Sequence, residues 1–205
     1  MRCIYCDKQM DKTSISSILF DEDLLCLQCR EKLKIRRKSF YLEDLKVETF
    51  FEYDGIFRSL LLQYKECCDE ALSDVFLYGL NDYIRMRYFD YRILFVPSTQ
   101  AKKEKRGFDH LNLLFRNVSL KEIKGLEMKK EMIQEGKNAE ERYEMKDNYI
   151  YTGEDHKKIL IVDDVITTGS SILGVYHAVR GHADKMRGLA LANKSKRFHF
   201  ENKVC

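Results

Sequence analysis

The clearest pattern along the chain is a switch of hydrophobic period. Ile159, Leu160, Ile161 and Val162 make an unbroken apolar run rich in β-branched residues, as expected of a strand buried on both faces of a parallel sheet. Polar residues follow, and then Ile172, Leu173, Val175, Tyr176 and Val179 recur at helical spacing. A strand, a polar loop and a helix are therefore predicted in succession, with Gly181 closing the helix and a last strand over residues 186–192. Upstream, Phe50, Phe51 and Tyr53 predict a short strand, and Ile56, Phe57, Leu60, Leu61 and Tyr64 a helix ending near Lys65. Leu72, Val75, Phe76, Leu80, Tyr83 and Ile84 predict a second helix over 69–87. Residues 92–96 read as another buried strand, ended by Pro97, and 109–117 as a helix. The stretch to about residue 148 is highly charged and poorly patterned, a composition found in mobile flaps and in surface helices. The expected class is α/β, a parallel sheet flanked by helices.

Composition narrows this picture. With 205 residues, 44% of them hydrophobic, the chain has room for one α/β domain and a small module. Thirty-six basic residues against 33 acidic leave a net charge of +3, so any nucleic-acid surface must be a local patch. No apolar run approaches the roughly 18 residues of a membrane span, and the N-terminus does not open as a signal peptide, so a cytoplasmic protein is expected. In that compartment seven cysteines point to metal ligands or free thiols before disulfides. Cys3 and Cys6 form one C-x-x-C pair and Cys26 and Cys29 another, with nineteen residues between them. Two such knuckles supply the four thiolates of a closed, structural Zn²⁺ site. A redox C-x-x-C would need a βαβ pattern beside it, which is absent here. Cys67 and Cys68 are read as packing residues.

The chemistry concentrates where the period changes. Asp163 and Asp164 are expected at the carboxyl end of their strand, where open α/β sheets place ligands. Thr167, Thr168, Gly169, Ser170 and Ser171 open the following helix, whose first N–H groups lack intrahelical partners and suit a phosphate. An acid pair beside a phosphate cradle suits a ribose 5-phosphate. Response-regulator acid pockets also use paired Asp after a strand, but there the pair closes the first strand, and this pair comes late. Residues 159–171 resemble the phosphoribosyl pyrophosphate (PRPP) motif of type I phosphoribosyltransferases. The resemblance implies that Asp163 and Asp164 are the catalytic acids holding the ribose hydroxyls, with Mg²⁺ accompanying PRPP, and that residues 167–171 bind the 5-phosphate. Ser98, Thr99, Lys102, Lys103, Lys105 and Arg106 leave the carboxyl end of the 92–96 strand and are candidates for the pyrophosphate; the plainer alternative is a charged surface loop.

Six of the nine residues from Arg30 to Lys38 are basic. Arg36, Arg37 and Lys38, followed by Phe40 and Tyr41, suit nucleic acid, or equally a solvated helix face joining two modules. The tail from Lys194 to Phe200 alternates cations and aromatics, a pattern that suits a single strand or sheet-edge packing.

Taken in order, the C-x-x-C pairs, Tyr53-Asp54-Gly55 leading to Lys65, Val96-Pro97, Arg106-Gly107-Phe108, Arg142 and the 162–169 segment resemble the ComF family of bacterial competence proteins. Two departures stand out: Asp109-His110 where Asn-Gln is usual, and Met145 near a position where Asn is common. The resemblance implies a type I phosphoribosyltransferase-like domain over residues 50–205 and a small N-terminal four-cysteine zinc-finger module with its basic linker over 1–41. It also implies a role in DNA uptake and natural transformation, with PRPP, single-stranded DNA, a competence DNA translocase and recombination mediators as partners. An active transferase passing phosphoribosyl from PRPP to an unidentified acceptor is the alternative.

Overall fold

The computed structural model describes residues 1–10, 23–129 and 148–194. Its centre is a five-stranded sheet in the order β1 (Lys38–Leu42), β2 (Leu45–Glu52), β7 (Ala183–Asn193), β6 (His156–Ile166), β3 (Arg92–Phe95). The β1–β2 pair is an antiparallel hairpin, and β2, β7, β6 and β3 run parallel. Central β6 is buried from Ile159 to Val162, as its unbroken apolar run requires. The mixed α/β class and the mostly parallel sheet flanked by helices are thus as expected.

The sheet begins earlier than the hydrophobic pattern indicates. Residues 42–49, left between the two expected units, belong to the hairpin, because the interruptions Glu48 and Thr49 are themselves buried in β2. Glu48 tolerates burial by accepting hydrogen bonds from Tyr83 Oη at 2.7 Å and Tyr88 Oη at 2.8 Å.

Helix α1 (Leu27–Lys32) belongs to the N-terminal cysteine module, and α2 (Gly55–Glu66) follows β2 with Ile56, Phe57, Leu60, Leu61 and Tyr64 buried. The single helix expected over 69–87 is broken. A 3₁₀ turn (Glu70–Leu72) leads into α3 (Ser73–Leu77), and α4 (Asn81–Arg87) starts afresh beyond Gly79, whose φ of +74° no helix accommodates. Phe76 of α3 meets Phe57 edge-on at 5.5 Å and Tyr64 at 6.0 Å, while Phe51 stacks on Phe57 at 5.0 Å. This aromatic file ends at Phe108, 5.3 Å from Tyr64, beside the carboxyl edge of the sheet. Cys67 is exposed and Cys68, at φ +56°, half-buried, so they occupy the turn after α2 instead of packing in the core.

After β3 come α5 (Gln100–Arg106) and α6 (His110–Leu114), then a two-stranded antiparallel ribbon of β4 (Leu126–Met128) and β5 (Tyr149–Tyr151). The middle of the charged stretch, 130–147, including Arg142 and Met145, lies outside the described residues, as does the tail beyond Lys194. Helix α7 (Ser170–Val179) connects β6 to β7, and β7 begins at Ala183, ahead of the predicted 186. Gly181 lacks the positive φ of a left-handed helix cap. Among the described residues no helix is long and apolar enough to cross a membrane.

Candidate functional site

Strands β3 and β6 are paired from Arg92–Ile159 to Phe95–Val162, and Val96 N–H continues the ladder to Val162 O at 2.9 Å. Their carboxyl ends therefore open onto one edge, where a cavity of about 560 Å³ lies. Its floor includes Asp163 and Asp164, one wall Ser98, Thr99, Lys102 and Arg106, and another Lys65 and His110. The β4–β5 ribbon closes it with Glu127, Met128, Lys129, Asn148 and Tyr149.

Asp164 is the most constrained group in this cavity. Only 6% exposed, its carboxylate forms an ion pair with Lys65 Nζ, and His110 Nε2 lies 2.7 Å from the same oxygen, Oδ2. Burial opposes the charge, but the Lys65 cation and the His110 contact outweigh it and hold the carboxyl well below the usual carboxylate range. Asp163 behaves oppositely. Burial first, and the Asp164 charge second, push its carboxyl up to about 7, although its Oδ1 accepts the Asp164 N–H at 2.8 Å. Two adjacent carboxyls thus have divided roles: one is locked as an anion, and the other keeps a proton near neutrality.

Neither His110 nor Lys65 belongs to the site expected from the sequence. Lys65 lies in the last turn of α2, and His110 opens α6 with Asp109 as cap, accepting from Asn112 N–H at 3.5 Å. The His110 carbonyl accepts a 2.8 Å hydrogen bond from buried Tyr64 Oη, and its Nδ1 lies 3.3 Å from Ser98 Oγ. The one sequence signal for His110 was its place in the Asp109-His110 departure from the family pattern.

The cations expected as a loop form the short helix α5 instead, and they divide. Lys102 and Arg106 line the cavity, with Arg106 Nε donating to Lys65 O at 3.2 Å. Lys103 pairs with Asp109 at 2.6 Å and Lys105 with Glu66 at 3.0 Å. Of the hydroxyl loop, Ser171 lines the cavity, and Thr167 and Thr168 are exposed beside it. Thr168 Oγ1 accepts the Ser170 N–H at 3.3 Å and lies 2.8 Å from Ser170 Oγ. Gly169 is required here: its φ is +83°, and a Cβ would sit 2.8 Å from Leu42 Cδ1.

The four cysteines of the N-terminal module converge. Their Sγ atoms lie within 4.8 Å of one another, and Cys6 and Cys26 approach to 3.7 Å. Zn–S bonds of about 2.3 Å in a tetrahedron demand sulfur separations of about 3.8 Å, so the set fits a structural metal such as zinc. Arg30 fastens the module to the main domain: it pairs with Asp23, donates to Val75 O at 2.9 Å and stacks over Tyr78 at 4.9 Å. In the basic run beyond, Arg36 and Lys38 share Glu52, at 3.8 and 2.8 Å, and Arg37 lies 4.8 Å above the Tyr83 ring.

No protein-family model matches the chain. It is 24% identical to competence protein ComFC of Streptococcus pneumoniae (strain ATCC BAA-255 / R6), across 84% of this chain and 90% of that protein.

Two outcomes are expected. Protein prepared without chelator should carry about one zinc per chain, and Cys26→Ser should lose it and unfold at lower temperature, as read by elemental analysis and circular dichroism. For Asp163 the sign follows from linkage. A carboxyl with a folded pKa near 7 and an unfolded value of about 4 holds its proton better when folded, so its contribution is complete below pH 4 and is lost as pH rises through 7. Asp163→Asn should flatten the fall in melting temperature across that window and stabilise the protein at pH 8. An unchanged profile would show that folding does not raise the Asp163 carboxyl.

Proposed function

We propose that this chain, a ComF family competence protein, acts in DNA uptake in the cytoplasm by binding PRPP with Mg²⁺ in the carboxyl-edge cavity and single-stranded DNA on its basic surface. The observation that carries the PRPP reading is the meeting of Asp163, Asp164, Lys102, Arg106 and Ser171 around one cavity. A ribose bearing two groups of phosphates needs acceptors for its hydroxyls in the middle and donors or cations at either end. In this reading Asp163 faces the ribose diol, and Asp164 keeps Lys65 and His110 in place behind it. Lys102, Arg106, Ser98 and Thr99 take the pyrophosphate, and residues 167–171 take the 5-phosphate. Mg²⁺ would supply the further positive charge that pyrophosphate oxygens require. The described residues carry no membrane-crossing helix, which is compatible with a cytoplasmic site of action.

The DNA reading draws on the likeness to ComFC and on Arg36, Arg37 and Lys38, of which Arg37 already stacks on an aromatic ring. A second reading, transfer of phosphoribosyl to an acceptor, is favoured by one feature. The cavity wall formed by Glu127, Met128, Lys129 and Asn148 is not used by PRPP in this assignment and leaves polar groups for a further reactant. Stabilising the departing pyrophosphate would then be the task of Lys102 and Arg106.

Titration calorimetry with PRPP and Mg²⁺ tests the central claim. Asp163→Asn should weaken binding by about tenfold or more, the worth of one or two hydrogen bonds to a charged acceptor. Equal affinities would remove Asp163 from the site. Sustained pyrophosphate release with any acceptor would decide for the transferase.

A further inference from the structure

At the opposite, amino-terminal edge of the sheet lies a second cavity of about 300 Å³ that the carboxyl-edge reading leaves unexplained. Five cations line it, Lys46, Arg87, Lys158, Lys185 and Arg187, against two carboxylates, Glu48 and Asp90. The cavity thus holds an excess of three positive charges, as much as the whole chain.

Strand register explains how they gather. Lys158 of β6 and Lys185 of β7 are direct cross-strand partners, and Arg187 is two residues beyond Lys185 on the same face. Val47 pairs with Gly188, which sets Lys46 of β2 alongside Arg187. Like charges placed directly opposite each other destabilise a sheet unless a counter-charge sits between them. The carboxylates present are already engaged: Glu48 accepts from Tyr83 and Tyr88, and Asp90 pairs with Lys158. Among the described residues the Lys185 side chain makes no hydrogen bond or ion pair, and the Arg187 side chain donates only to the Met186 carbonyl, at 3.2 Å. Beside this row stands Phe89, 76% exposed on the turn after α4, a large apolar ring with nothing packed over it. Arg37 is linked to this cavity through Tyr83, whose ring lies beneath its guanidinium and whose hydroxyl donates to Glu48.

A row of cations spaced along strands with an open aromatic ring beside them fits a chain of phosphates carrying stackable bases. We infer that the amino edge of the sheet is a binding groove for single-stranded nucleic acid, in which Lys185 and Arg187 contact successive phosphates and Phe89 stacks on a base. This rests on the DNA-binding reading above and moves its main contact surface away from the cysteine module. Lys158 precedes Asp163 by five residues, about 17 Å along an extended strand, so the groove is separate from the sugar-phosphate cavity.

The test is fluorescence anisotropy of the full-length protein with a labelled oligothymidylate, titrated across salt concentrations. Lys185→Gln with Arg187→Gln should lower affinity by about tenfold or more and reduce the slope of log K against log salt by about 1.4, the loss of two phosphate contacts on a single strand. Phe89→Ala should lower affinity by about tenfold at an unchanged slope. Zinc content and the calorimetric response to PRPP should match wild type in both variants, which separates a lost contact from a damaged fold. If the glutamine pair binds as wild type does while Arg36→Glu with Arg37→Glu does not, the groove is overturned and the DNA reading stands. If wild type binds no strand, both fail. Displacement of the strand by inorganic phosphate at equal phosphate concentration would reduce the groove to a phosphate pocket and likewise overturn it.

Discussion

A buried carboxylate at the end of the central strand is the constraint on which the carboxyl edge depends. Asp164 sits in a place that water scarcely reaches, and an unpaired charge there would be severely destabilising. Lys65 and His110 meet that demand from two helices far apart in sequence, α2 and α6. Removing one partner of a buried pair costs on the order of 3–5 kcal/mol, so the requirement fixes how the last turn of α2 and the first turn of α6 meet the sheet. Tyr64, next to Lys65, extends the same brace by donating to the His110 carbonyl, and its ring belongs to the aromatic file running back to Phe51. Core packing and the geometry of the site are therefore one network.

That brace also separates the two acids chemically. With Asp164 saturated by its partners, the second carboxyl cannot ionise as readily beside it, and Asp163 is left as the group whose protonation responds to what enters the cavity. A ligand bringing Mg²⁺ or hydroxyl donors would favour the ionised form, and an empty site favours the proton. Adjacent identical side chains thus have different chemistry because the Lys65 ion pair and the His110 contact both go to Asp164.

Local signals were readable from the sequence, and distant ones were not. The apolar run of β6, the glycine that opens α7 and the two cysteine knuckles each reside within a few residues and translate directly into structure. The partners of Asp164 do not: His110 lies 54 residues before it, and nothing in the spacing around His110 marks it as turned toward an acid. The same limit hid the β1–β2 hairpin, whose buried Glu48 looks like a surface residue until the tyrosines that satisfy it are known. Charge counting gave equal weight to Lys102, Lys103, Lys105 and Arg106. Tertiary pairing divides them, since Lys103 and Lys105 have carboxylate partners while Lys102 and Arg106 face the cavity. Gly79 shows the converse case, a single residue of positive φ interrupting a stripe whose helical period is otherwise sound.

Strand β6 runs eleven residues without interruption, with Lys158 near one end and the acid pair near the other; it is paired with β7 from His156 to Ile166 and with β3 from Ile159 to Val162. A strand clamped in this way transmits very little displacement along its length. Any communication between the two ends of the sheet would have to travel as a change in electrostatic potential or in the stiffness of the flanking segments, since there is no hinge between them to turn. The molecule is in this respect a fixed ruler: whatever it holds at its two edges is kept at constant separation and orientation.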